Sequence, residues 1–124
     1  MRPQSAKAKG RRAAQEVKRS LLQRFVALSD DDLLVTPSSV MGEDLKMSPN
    51  ARTSLPFVIE VKNQERINIW DALAQAKSHG SGRPELIPLV IFRRNHSGLH
   101  VALEWEHFLD LTQHHETHAQ RKSA

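Results

Sequence analysis

The stretch FVIEVKNQE at residues 57–65 constrains this chain more than any other. Phe57, Val58, Ile59 and Val61 have the apolar, branched character of a strand bound for a core, yet Glu60 and Lys62 are set into it two residues apart. Side chains alternate faces along a strand, so Glu60 and Lys62 emerge together on one side while Ile59 and Val61 fill the other. An unpaired buried carboxylate or ammonium is costly. The charged face therefore requires that Glu60 and Lys62 meet each other, water or a ligand.

The rest of the chain narrows what that ligand could be. With 124 residues it makes one domain with a modest core, and with no cysteine it has neither disulfides nor thiolate metal sites. No apolar run approaches ~18 residues and no apolar segment follows the basic N-terminus, so the expectation is a soluble protein of the cytoplasm, in a bacterial or phage-infected cell, without a membrane partner. The net charge of +4 is unevenly spread: residues 1–24 carry Arg2, Lys7, Lys9, Arg11, Arg12, Lys18, Arg19 and Arg24 against Glu16 alone. Such a basic segment suits a polyanion, because neutralising phosphates releases condensed counterions. Lys7, Lys9, Arg11, Arg12 and Arg19 are the candidate nucleic-acid contacts, and a solubilising tail is the competing explanation.

Periodicity predicts the element order. Residues 1–9 read as a disordered basic arm, and a helix fits Arg11 to Leu28, where Ala14, Val17, Leu21, Phe25 and Leu28 make one apolar stripe. Strands follow at 33–39, 42–47 and 56–62, the last two as an antiparallel hairpin across a loop at 48–54. Asn68 is a plausible N-cap for a helix that stops at Gly80. Strands at 86–94 and 99–105, a short helix at 106–112 and a frayed polar tail from Gln113 complete the chain. The expectation is an α/β fold with a single mixed sheet of about five strands flanked by helices, in a domain spanning residues 10–112. Trp70, Leu73, Phe92 and Trp105 are expected in its core, His96 in a loop, and His114 and His118 in the solvated tail.

The expected hairpin also brings Asp44 of GEDL within reach of Glu60. Two carboxylates with one lysine are poorly explained by pairing alone, because the acids repel unless something more positive sits between them. A hard divalent cation, Mg²⁺ or Mn²⁺, would resolve the conflict, since these ions bind through one or two carboxylates and keep sites for water and substrate phosphate.

Asp44 followed by Glu60-Val61-Lys62, after a helix bearing Glu16, resembles the PD-(D/E)XK nuclease superfamily. The early glutamate is similar to that of archaeal-type Holliday junction resolvases, and "GEDL", "KNQE" and "IWDALAQA" resemble small phage-encoded endonucleases. Glu43 stands where the superfamily's name puts proline. The resemblance implies a restriction-endonuclease-like αβββαβ core and metal-dependent DNA hydrolysis. It implies that Asp44, Glu60 and the Val61 carbonyl hold Mg²⁺, with Mn²⁺ as a substitute, and that Lys62 acts on water and phosphate. Glu16 would complete the acidic shell, and Gln75 occupies a helix position where such nucleases carry glutamine or lysine. Branched DNA is the implied substrate, and two cuts on a symmetric junction imply a homodimer. The alternative is a nucleic-acid-binding module with no catalysis, using the arm and first helix, in which the acids are structural.

Overall fold

The computed structural model describes residues 3–37 and 40–123. They form a five-stranded sheet in the order β1-β2-β3-β4-β5, with helices against it. The elements are α1 (Pro3–Arg24), a 3₁₀ turn (Asp30–Asp32), β1 (Leu33–Val35), β2 (Leu45–Met47), α2 (Pro49–Ser54), β3 (Phe57–Asn63), α3 (Ile69–His79), β4 (Ile87–Arg93), β5 (His100–Ala102) and α4 (Trp105–Ser123). The sheet is mixed, as expected: β1, β2 and β3 are antiparallel neighbours, β3 and β4 run parallel across α3, and β5 returns antiparallel to β4.

The two faces of β3 divide the interior. Ile59 and Val61 join Leu89 and Ile91 of β4 in an apolar cluster beneath Ala13, Ala14 and Val17 of α1. On the other face Val90 meets Ala72 and Ala76 of α3. The small alanines let α3 lie close to the sheet, and Gly80 ends it where a Cβ would stand 3.2 Å from Val58 Cγ2. This close approach fixes the height of the last turn of α3 above β3.

Several boundaries depart from expectation. Where a disordered arm was expected, α1 begins at Pro3: a proline suits the first turn and the alanines and lysines after it favour helix, so Gly10 is tolerated within it. The segment 48–54 is not a loop but contains α2, capped by Ser48 Oγ, which accepts from the Ala51 N–H at 3.1 Å, with Pro49 at its start. The tail from Gln113 is not frayed; α4 continues to Ser123 through a run without glycine or proline. The first strand stops at Val35, and Ser38 and Ser39, where it was expected to end, lie outside the described residues, as does Arg2. The tryptophans are not core: Trp70 is 80% exposed because the alanines of α3 face inward, and Trp105 is 66% exposed and stacks on Phe108. No described helix is long and apolar enough to cross a membrane.

Candidate active site

The site originates in a mismatch of strand lengths. β2 pairs with β3 only at Leu45 and Ile59, and the Asp44 N–H donates to the Ile59 carbonyl at 3.0 Å. Beyond this point β3 continues to Asn63 with no backbone partner from β2. The Val61 N–H, which belongs to the same edge as those of Ile59, donates instead to Oδ2 of Asp44 at 2.7 Å. The Val61 carbonyl points to that edge as well. Gly42, at φ 120°, supplies the turn that delivers Glu43 and Asp44 to this place, a conformation L side chains rarely adopt.

Glu60 and Lys62 leave β3 on the face covered by α3, as the alternation requires. The Glu60 side chain is only 5% exposed; its Oε1 lies 2.5 Å from His79 Nδ1 and its Oε2 lies 4.0 Å from Lys62 Nζ. Burial, and then the charge of Asp44, push the Glu60 pKa up from 4.5 to about 7, against the opposing pull of His79 and Lys62. The two acids therefore feel each other across the gap between β2 and β3. Asp44, Glu60, Lys62, Gln75 and His79 line one open cavity of about 490 Å³.

Five of the six catalytic and metal-site candidates, Asp44, Glu60, Val61, Lys62 and Gln75, thus gather around the end of β3. Glu16 does not join them: Arg93 Nη1 binds its Oε2 at 2.6 Å, tying α1 to the end of β4 on the opposite face of the sheet from Glu60. The sequence reading missed His79, although it stands four residues after Gln75 and so on the same side of α3. Of the basic candidates, Lys7 and Arg11 line a recess with Asp44 and Val61, while Lys9 and Arg12 flank Asn63. Arg19 lies exposed two turns beyond Arg12.

Glu43, beside Asp44, has a different task. It is buried, and its two oxygens bind Arg52 Nη2 at 2.8 Å and Arg83 Nη2 at 2.6 Å. These arginines also donate to the Phe57 and His79 carbonyls, so one carboxylate ties α2, the end of α3 and the start of β3 together behind the site. Burial raises its pKa, but the hydrogen bond and charge of Arg83, with Arg52, more than offset this and leave it lowered from 4.5. Glu43→Gln is expected to cost on the order of 3 kcal/mol at neutral pH, because two part-buried guanidinium groups lose their counter-ion. A lowered pKa stabilises the fold above the ordinary glutamate range and is lost as pH falls through the folded value. The gap between variant and wild type in urea melts should accordingly shrink in acid.

Comparison of the chain with protein-family models, with curated proteins and with solved structures gives no match. Among the described residues no three His, Asp or Glu side chains converge as a cage for a metal ion. Two carboxylates at an open cavity suit Mg²⁺, which binds through one or two carboxylates and keeps its remaining positions for water and phosphate.

Proposed function

We propose that this protein is a Mg²⁺-dependent DNA endonuclease. The observation that carries the proposal is the gap at the end of β2, where Asp44 replaces a backbone partner of β3 and stands beside the buried Glu60, with Lys62 and Gln75 on the same cavity. The resemblance to PD-(D/E)XK nucleases drawn from Asp44 and Glu60-Val61-Lys62 points the same way.

Asp44 and Glu60 each give one oxygen to a protein partner, Val61 N–H and His79, and would hold the cation with the other, helped by the Val61 carbonyl. Bound Mg²⁺ supplies positive charge for the phosphate oxygens and makes water easier to deprotonate. Lys62, its ammonium half-buried at the cavity, would orient water and steady charge on the phosphate. Gln75 would donate or accept a hydrogen bond at the cavity mouth, and the cations of α1 would neutralise the flanking backbone. So small a domain offers little surface for reading bases, which favours recognition of backbone and shape, branched DNA included. A homodimer would provide the two cuts that a symmetric junction needs.

A second reading has its own support. Glu60 already contacts His79 and Lys62, as it would in a structural ion cluster of a non-catalytic DNA-binding module. Incubating the purified protein with labelled linear, flapped and four-way DNA in Mg²⁺, Mn²⁺ or EDTA separates the two. The nuclease cuts only with metal; the binding module retains DNA and cuts nothing.

A further inference from the structure

The carboxyl ends of the parallel strands β3 and β4 carry a second cavity that the proposed chemistry does not use. Asn63 and Arg93, the last residues of the two strands, are paired in register and emerge beneath α1. With Lys9 and Arg12 of α1, and Arg94 and His96 of the turn after β4, they line a depression of about 490 Å³ that has no carboxylate in its lining. Lys9 and Asn63 also line the adjoining depression of about 440 Å³ that contains Asp44, Val61 and Lys62. The two join into one trough that leads from the acidic site to Arg94.

Three features make this trough a ligand track. Its cations are largely unpaired: Arg93 is bound by Glu16, but Lys9, Arg12 and Arg94 make no ion pair among the described residues, and the carboxylates Asp44 and Glu65 line only the depression nearer the acidic site. It lies outside the carboxyl ends of parallel strands, where open α/β sheets take their ligands. Asn63, only 9% exposed, has a buried Oδ1 with no hydrogen-bond partner among the described residues, and an orphan acceptor of this kind calls for a donor.

We propose that the trough binds the sugar-phosphate backbone of the DNA strand entering the Asp44 site, with Lys9, Arg12 and Arg94 on successive phosphates. A water donating one hydrogen to Asn63 Oδ1 and the other to a phosphate oxygen satisfies the orphan acceptor. The choice of DNA as polymer rests on the nuclease proposal, but binding tests the track without any cleavage.

The test is fluorescence anisotropy of labelled linear and flapped DNA, titrated in EDTA over a range of salt with wild type, Arg12→Ala/Arg94→Ala and, as a control at the far end of α1, Arg24→Ala. The double variant should bind at least tenfold more weakly at low salt, and its slope of log affinity against log salt should fall by about 2, since each lost phosphate contact removes ~0.9. Arg24→Ala should match wild type. An unchanged slope in the double variant, or an equal loss in Arg24→Ala, would each overturn the proposal. A normal slope change in a protein that never cuts DNA in Mg²⁺ supports the track while removing the nuclease assignment.

Discussion

Lys62→Ala is expected to lower Mg²⁺-dependent DNA cleavage by about a thousandfold while the protein stays folded and still binds DNA. The size follows from the place of the side chain: Lys62 is a half-buried cation at the cavity that Asp44 and Glu60 share. The fold should survive because the ammonium lies 4.0 Å from Glu60 Oε2, too far for a hydrogen bond, and has no other ion-pair partner among the described residues. Single-turnover cleavage, with DNA binding in EDTA and a thermal melt alongside, checks all three parts. Wild-type cleavage by the variant would remove Lys62 from the mechanism.

Asp44→Asn should abolish cleavage and leave the metal-free protein at least as stable as wild type. In a structural ion cluster the same change would cost on the order of 3 kcal/mol. Here the expectation is opposite in sign, because Asp44 is a cause of the raised Glu60 pKa, and an amide oxygen in its place still accepts from the Val61 N–H. A carboxyl group whose folded pKa is raised from 4.5 to about 7 costs stability that grows as pH rises between those values. The advantage of Asp44→Asn in EDTA should therefore be absent in acid and reach about 1 kcal/mol above neutrality. Melts of both proteins in EDTA across this range decide the matter. A strongly destabilised variant would make Asp44 a structural residue.

Local rules made much of this arrangement legible. Alternation along β3 separated Glu60 and Lys62 from Ile59 and Val61, and the hairpin register brought Asp44 to Glu60. The cap at Asn68 and the stop at Gly80 bounded α3, since both are written in single residues. What escaped depends on partners far away in the chain. Nothing near Glu16 announces that Arg93 will take its carboxylate, and nothing near Glu43 announces Arg83. The burial of Trp70 was overestimated because size alone argued for the core, whereas the closeness of α3 to the sheet selects alanine for the inner face. The helix at 49–54 was legible in Ser48 and Pro49, whose turn-forming habit outweighed their equal fitness to start a helix.

The strands lie across the sheet in the order in which they occur in the chain. Each therefore meets a sequence neighbour, and contacts of short separation favour fast folding. α1 reaches further: besides β1, close to it in sequence, its apolar stripe rests on Ile59, Val61, Leu89 and Ile91, from strands made much later. During synthesis this helix leaves the ribosome ahead of β3 and β4 and completes its docking only after they have followed. Until then its apolar stripe stays partly uncovered, so the start of this sequence waits on strands that lie more than thirty residues further along the chain.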